Sequence, residues 1–295
     1  MGISLCMIVK NEEQFLEQAL RSVKHLVDEI VIVDTGSTDQ TKEIARRFTS
    51  HLFEYAWSDN FSVARNFSLS KATQDWILVL DADEIVAVAD HPRILSLIQQ
   101  TDTPGFSFVQ VSYTADPSVA GYLPVLQKTS YTKHFPGYIA VNMIRLFRNH
   151  LDIYFEGAVH ETVEYRLAAV GAVVKTDIPI HHYQFEKGED VLREKQLHYL
   201  ALHEQHLSTY PNQAKAYRDM GSTYYSYTDN TTKALQYFEQ SLALKQHPKT
   251  YVGLVLCLVK LRRFATAQEK LREGLHSFPD DVTLRHLLSA FSHSP

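Results

Sequence analysis

The sequence predicts an α/β fold with a mostly parallel, doubly wound sheet, followed by an all-α domain of helical-hairpin repeats. Apolar runs alternate with segments of helical periodicity through the first part of the chain, which is typical of a parallel sheet. After about residue 186 the pattern becomes helical throughout. We therefore expect two domains in the 295-residue chain, at residues 1–185 and 186–295.

The predicted elements of the first domain follow one another closely. Unbroken apolar runs at 3–9, 30–33 and 76–80 predict strands that are buried on both faces. Helical periodicity predicts helices at 13–25 and 61–69, and Ser37, Thr38 or Asp39 can cap another helix between them. Further strands are predicted at 53–55, 106–111 and 142–148. Residues 112–140 show little periodicity and predict a long loop.

Composition excludes several classes of protein. The chain has a net charge of −5, whereas nucleic-acid-binding proteins usually carry a strongly basic surface. No apolar run approaches about twenty residues, so we expect no membrane span, and no signal peptide is visible. Cys6 and Cys257 lie in apolar runs, which predicts buried thiols rather than a disulfide. We expect a cytoplasmic protein, with attachment to the inner face of the membrane as an alternative.

Two carboxylates follow the apolar run at 76–80. Asp81 and Asp83 are separated by one small residue, and they repel each other unless a cation lies between them. Mg²⁺ or Mn²⁺, held by carboxylates and substrate phosphates, is the usual solution. The alternative is a strand-end turn with two solvated aspartates. Asp81 and Asp83 alone do not distinguish a metal site from a solvated turn, so the other motifs of the chain are needed.

Asp34 ends an earlier apolar run and precedes Gly36 and Ser37, between a strand and a helix. That position favours an anionic or nucleoside ligand, although a plain helix cap explains it equally well. Neither the Gly-rich dinucleotide motif nor the P-loop motif occurs in the sequence.

A repeat appears in the second half of the chain. Ala234 and Ala267 lie 33 residues apart, as do Phe238 and Leu271. This period and the small and aromatic residues that recur fit tetratricopeptide-like helical hairpins, in preference to an unrelated helical bundle. A tyrosine-rich stretch at 217–237 is interpreted mainly as the aromatic core of these hairpins, with a binding groove as the alternative.

The segments 4–13, 28–39, 62–66 and 75–84 together resemble glycosyltransferase family 2, which has the nucleotide-diphospho-sugar transferase fold. The resemblance covers about residues 1–185. A subgroup with a segment like 155–161 and a later His-Tyr, followed by tetratricopeptide repeats, matches the whole chain; it includes lipopolysaccharide-core transferases and S-glycosyltransferases of bacteriocin peptides. The chain departs from the subgroup at Gln184, where the family usually has glycine.

The resemblance implies a role for each candidate site residue. It implies that a nucleotide-sugar donor is bound by Val9, Asn11, Glu12, Asp34, Gly36, Ser37, Arg65, Asp81 and Ala82. It implies that Mn²⁺ or Mg²⁺ is held by Asp83 and His182, with His181 and His160 as rivals of His182. It implies that Glu161 is the catalytic base. The bland alternatives are a surface salt bridge for Arg65 and a salt bridge from Glu161 to Arg145 or Arg148.

We therefore expect a metal-dependent inverting glycosyltransferase that moves a hexose from a nucleotide-diphosphate sugar, with a UDP-sugar as first choice. The expected acceptor is a peptide, a glycan or a lipid-linked saccharide, and the repeat domain would hold the acceptor or form a homodimer. The alternatives are an inactive transferase-like scaffold that acts through its repeats, and a nucleotidyltransferase on a related fold.

Overall fold

The computed structural model of the protein describes residues 1–99, 102–117, 119, 121–149, 152–209 and 211–292. The chain divides into two compact units, Met1–Gly188 and Glu189–Pro295. Among the described residues, no helix is both long enough and apolar enough to cross a membrane.

The first unit is an α/β unit. Its strands are β1 (Ile3–Val9), β2 (Glu29–Asp34), β3 (Leu52–Glu54), β4 (Trp76–Val79), β5 (Glu84–Val86), β6 (Gly105–Thr114), β7 (Leu123–Pro124), β8 (Gly137–Arg148) and β9 (Val174–His182). Its helices are α1 (Leu16–Val23), α2 (Thr41–Arg46), α3 (Phe61–Leu69), α4 (His91–Leu97) and α5 (Glu164–Val170).

The strands form one sheet in the order β3-β2-β1-β4-β8-β6-β9-β5, with β7 paired to β8. The strands from β3 to β4 are parallel, as the sequence predicts. Beyond β4 the sheet is mixed, because β8 runs antiparallel to both β4 and β6, and β5 runs antiparallel to β9. The α/β class is therefore confirmed, and the parallel part of the sheet is its N-terminal half.

The core explains why the central strands are apolar without a break. β1 and β4 lie in the middle of the sheet with apolar layers on both faces, so all four residues of β4 are buried. On one face, α1 packs its buried residues Leu16, Ala19, Leu20 and Val23 into the core. Burial raises the pKa of the Cys6 thiol on β1 to about 12.

Several predicted boundaries shift in the structure. β4 ends at Val79, so Asp81 lies just beyond the strand. The expected loop at 112–140 is shorter, because β6 runs on to Thr114 and β8 starts at Gly137. Of the three predicted caps, Asp39 accepts a hydrogen bond from the backbone N–H of Thr41, at 3.0 Å.

The second unit is helical. Its helices are α6 (Glu189–Thr209), α7 (Ala214–Tyr227), α8 (Thr231–Leu244), α9 (Pro248–Lys260), α10 (Phe264–Ser277) and α11 (Val282–Ser292). The sequence predicts helical structure from about residue 186, and α6 begins slightly later, because Gln184–Lys187 forms a 3₁₀ turn that belongs to the first unit. The repeated pairs Ala234 with Ala267 and Phe238 with Leu271 are all buried in one apolar core.

Phe238 is the residue on which the repeat core closes. A Cβ added to Gly253 would lie 2.3 Å from the end of the Phe238 ring, and one on Gly221 would lie 3.0 Å from it. The α7 and α9 backbones therefore both approach the ring closely, and a side chain at Gly253 would require the ring to move.

We expect Phe238→Ala to lower the free energy of unfolding of the second unit by about 3–5 kcal/mol, since removal of the ring leaves a cavity in the core. Phe264→Ala is the matched control, because Phe264 is 56% exposed. Thermal unfolding followed by circular dichroism compares the two variants. Equal midpoints for both would contradict the packing described.

Candidate active site

The loops that follow β1 and β2 are fixed to each other. Val9 and Asp34 are register partners at the carboxyl ends of the two parallel strands. Asn11 adopts a left-handed backbone (φ 55°), and its N–H donates to Ser37 Oγ at 2.9 Å. Its side-chain oxygen accepts from the N–H of Thr38 at 2.8 Å. These bonds give the edge of the sheet a defined shape before any ligand arrives.

Asp34 is half satisfied in this arrangement. Its Oδ1 accepts from the N–H groups of Gly36 and Ser37, at 3.0 and 2.9 Å. Its Oδ2 is buried and has no hydrogen-bond partner in the part of the chain that the structure describes. Gly36 has φ +107°, and an added Cβ would meet nothing within 4 Å, so open space lies beside the loop. An unsatisfied buried acceptor next to open space suits a ligand that donates a hydrogen bond.

Asp81 lies between two buried arginines. Arg65 of α3 donates to Asp81 Oδ1, and Arg145 of β8 lies 3.3 Å from Asp81 Oδ2. Burial opposes ionisation of Asp81, but the charges of Arg65 and Arg145 outweigh it and hold its pKa well below the usual range. Ala82, the next residue, is buried in the apolar core, so only its backbone can face a ligand.

Arg65 also reaches Glu161. Its Nε donates to Glu161 Oε1 at 2.7 Å, and the arginine is only 7% exposed. The structure thus contradicts the surface-bridge alternative for Arg65. The alternative partners expected for Glu161 were Arg145 and Arg148 of β8. In the structure its ion-pair partner is Arg65, because the loop after residue 152 brings Glu161 to α3.

Glu84 supports Asp81 from behind. Its side chain is fully buried, and its Oε2 accepts from the backbone N–H of Asp81 at 2.8 Å. Its Oε1 accepts from Arg145 and from Gln110 Nε2. Burial raises the pKa of Glu84, although the charge of Arg145 opposes the rise. Glu84 ends the motif at 75–84, but neither it nor Gln110 had a predicted role, because their contacts join residues that are far apart in the sequence.

Asp83 faces a different pair of cations. His182 Nε2 lies 3.5 Å from Asp83 Oδ1, and Lys187 Nζ lies 2.9 Å from Asp83 Oδ2. The antiparallel pairing of β5 with β9 places His182 opposite Glu84 and so brings it to Asp83. On its other side, His182 Nδ1 is hydrogen-bonded to Ser112 Oγ at 2.8 Å. Burial lowers the pKa of His182, but the hydrogen bond with Asp83 and the charges of the neighbouring carboxylates together outweigh burial and raise it.

His181 and His160 have other surroundings. His181 Nδ1 is hydrogen-bonded to the hydroxyl of Tyr113 at 2.7 Å, and its ring stacks on Tyr131 at 4.1 Å. Burial lowers the pKa of His181 to about 4. His160 is exposed and has φ 52°. Of the three histidines considered, His182 is the one for which the structure gives a contact with Asp83.

Lys187 lies in the range 186–295 that was expected to be helical repeats, but in the structure it ends the 3₁₀ turn Gln184–Lys187, before α6 begins. Its ammonium lies 2.7 and 2.8 Å from the two carboxylate oxygens of Glu12 and also contacts Asp83. The contact between Lys187 and Glu12 joins residues that are 175 apart in the sequence, so no local pattern could have indicated it.

The donor groups around Asp83 fit a divalent ion. Carboxylate oxygens are the ligands that Mg²⁺ and Mn²⁺ prefer, and a neutral imidazole is a common metal ligand in proteins. The Ser112 contact orients the ring of His182, as outer hydrogen bonds commonly do for metal-bound histidines. Asp83 and His182 are therefore the residues that could hold a metal here.

The chain is similar to known proteins in its sequence and in its fold. Residues 4–148 match the family model described as Glycosyl transferase family 2. A TPR repeat-containing protein of Synechococcus elongatus is 38% identical over 168 residues, 57% of this chain and 37% of the relative. The prophage-derived glycosyltransferase SunS of Bacillus subtilis is 24% identical over 81% of this chain and 53% of its own length. The chain thus spans about half or less of the length of these relatives.

A solved structure extends the likeness to both units. The structure of S. aureus TarS in complex with UDP-GlcNAc covers 93% of this chain and 92% of the TarS chain, with a TM-score of 0.51 and 14% identity. At that identity the likeness concerns the fold alone. The fold is thus that of an α/β unit with a polar edge of its sheet, followed in the chain by helical repeats. The family likeness is carried by residues 4–148, just under half of the chain.

The buried pair of Glu84 and Arg145 generates a stability prediction. Glu84→Leu should cost about 3–5 kcal/mol of unfolding free energy, because it leaves the Arg145 guanidinium buried without this carboxylate. Adding Arg145→Met should recover part of that loss. Denaturant unfolding of the two single variants and the double variant measures the coupling free energy. Strictly additive losses would show that the pair does not act as a unit.

Proposed function

We propose that this protein is a metal-dependent inverting glycosyltransferase that uses a nucleotide-diphosphate hexose, a UDP-sugar being the preferred donor. The observation that carries the proposal is the grouping of polar residues at one edge of the sheet. The unsatisfied Asp34 oxygen follows β2, and the Asp81–Asp83 pair follows β4; both strands flank β1 in parallel. Ligands of open α/β sheets bind at this edge.

The donor nucleotide would bind over the loops after β1 and β2. Asp34 Oδ2 would accept a hydrogen bond from the base or ribose, beside the open space at Gly36. Val9, Asn11, Glu12 and Ser37 would form the wall of this pocket. Arg65 Nη1 is buried and has no hydrogen-bond partner among the described residues, so it can donate a hydrogen bond to an anionic oxygen of the diphosphate. The UDP-GlcNAc complex of the similarly folded TarS is in line with a UDP donor.

Asp83 and His182 would hold Mn²⁺ or Mg²⁺, with Asp81 close to the ribose. Such an ion, when bound, supplies positive charge that offsets the charge developing on the leaving nucleotide diphosphate. The chain's own contribution is to fix the carboxylates. Glu84 holds the Asp81 backbone, and the N–H of Tyr183 donates to the Asp83 carbonyl at 3.0 Å.

Glu161 would act as the base. In an inverting transfer the acceptor atom attacks the anomeric carbon as the bond to the diphosphate breaks, and a carboxylate takes the acceptor's proton. Arg65 contacts both Glu161 and Asp81, so a single buried side chain would set the position of the base relative to Asp81 in the proposed nucleotide-sugar site.

The arrangement disfavours the inactive-scaffold alternative. Buried charges and an unsatisfied acceptor lower stability unless a ligand uses them, and a scaffold has no need of them. We assign residues 1–185 to catalysis and residues 186–295 to acceptor binding or to a homodimer contact. The proposed acceptor is a peptide, a glycan or a lipid-linked saccharide, and the proposed location is the cytoplasm or the inner face of the membrane.

The donor and the metal are tested together. Thermal-shift and hydrolysis assays over UDP-, GDP- and dTDP-sugars, with and without Mn²⁺, should show a metal-dependent response to one donor. Asp83→Asn should abolish that response because it removes a charged ligand. Asp177→Asn is the control, since the Asp177 side chain is 86% exposed and pairs with Arg93. A response that Asp83→Asn leaves unchanged, or no response to any donor, would refute the catalytic proposal.

The base is tested separately from donor binding. Glu161→Gln can still accept the hydrogen bond from Arg65, so donor affinity by calorimetry should stay within about twofold, whereas turnover should fall by roughly 10²–10⁴-fold. The control is Glu164→Gln, at an exposed position at the start of α5. Near-normal turnover in Glu161→Gln would assign the proton transfer to another group.

A further inference from the structure

We propose that the ammonium group of Lys187 occupies the cation position beside Asp83 when the site holds no metal, and that a divalent ion has to displace it. Lys187 would then act as an internal competitor that sets the metal affinity of the protein. The proposal rests on the proposed function, because it takes Asp83 as the metal ligand.

The contacts of Lys187 are those of a cation in a carboxylate cage. Its Nζ lies 2.7 and 2.8 Å from the two Glu12 oxygens and 2.9 Å from Asp83 Oδ2. The three side chains are largely buried, with exposed fractions of 13% for Lys187, 18% for Glu12 and 6% for Asp83. An ion pair shielded in this way is stronger than one at the surface.

A divalent ion and the ammonium compete for the same carboxylate, because His182 lies against Asp83 Oδ1 and Lys187 lies against Oδ2. Mg²⁺ binds carboxylate oxygens at about 2.0–2.1 Å, so an ion on either oxygen of Asp83 would lie within a few ångström of Nζ at its present position. Two positive charges at that distance repel each other strongly in a poorly hydrated site. Lys187 therefore has to leave Asp83 when an ion binds to that carboxylate.

The segment that carries Lys187 is held by contacts outside the cage. Glu186 forms an ion pair with Lys133 at 2.9 Å, and the hydroxyl of Tyr183 donates to the Tyr131 carbonyl at 2.8 Å. The effect of the Lys187 charge can thus be separated from the effect of the segment's attachment. Loss of the Lys133 contact loosens the same turn and leaves the ammonium in place.

Mn²⁺ alone is the probe, and the free ion is measured by electron paramagnetic resonance during titration of the full chain. We expect Lys187→Met to lower the Mn²⁺ dissociation constant by about tenfold, the equivalent of roughly 1.4 kcal/mol of relieved competition. Lys133→Met, the matched control, should leave that constant unchanged. Mn²⁺ should also raise the thermal midpoint of Lys187→Met by more than that of the wild type, because ligand binding stabilises the folded state.

Each outcome decides one point. An equal or weaker Mn²⁺ affinity in Lys187→Met overturns the competitor role, and so does an equal gain in Lys133→Met. If wild type and Lys187→Met bind Mn²⁺ equally and Asp83→Asn does not bind it, the competitor role fails while the proposed metal site stands. If none of the proteins binds Mn²⁺, the metal site itself fails and the competitor role falls with it.

Discussion

The neutralisation of three neighbouring carboxylates is the constraint on which the first unit depends. Asp81, Asp83 and Glu84 lie within four residues at the edge of a buried sheet, where unpaired charge is strongly unfavourable. Local sequence offers no cation to balance them. The fold brings Arg65 from α3, Arg145 from β8, His182 from the end of β9 and Lys187 from the 3₁₀ turn that follows β9. The mixed half of the sheet is therefore part of the site, because it delivers these cations.

The two aspartates are sorted by their partners. Asp81 contacts arginines, which remain charged at any physiological pH and hold a carboxylate in place. Asp83 contacts a histidine and a lysine, groups that can rearrange or exchange for another cation. This difference supports a structural and donor-side role for Asp81 and an ion-binding role for Asp83. A two-residue spacing alone does not distinguish them, since neighbouring side chains two apart start on the same side of a strand.

Local signals led to the parts of the site that local physics controls. The helix at 61–69 was predicted with the bounds that α3 has, because helical periodicity is a property of the segment itself. The position of Asp34 and of Asp81–Asp83 followed from apolar runs that end in polar residues. The roles of Glu84, Gln110 and Lys187 could not be predicted in this way, because they arise from antiparallel pairing and from a turn that docks on a distant loop. The helical pattern expected from about residue 186 did not show that Gln184–Lys187 forms a separate 3₁₀ turn before α6, for the same reason.

Burial of both thiols has a practical consequence for experiments on this protein. Burial raises the pKa of Cys257 in the repeat core, like that of Cys6, to about 12, so neither is a nucleophile at neutral pH. A cysteine introduced at an exposed position would be the single fast-reacting thiol of the folded chain. The wild-type background therefore suits site-specific attachment of spin labels or fluorophores without prior removal of native cysteines, and distances between labels on the two units can be measured as ligands are added.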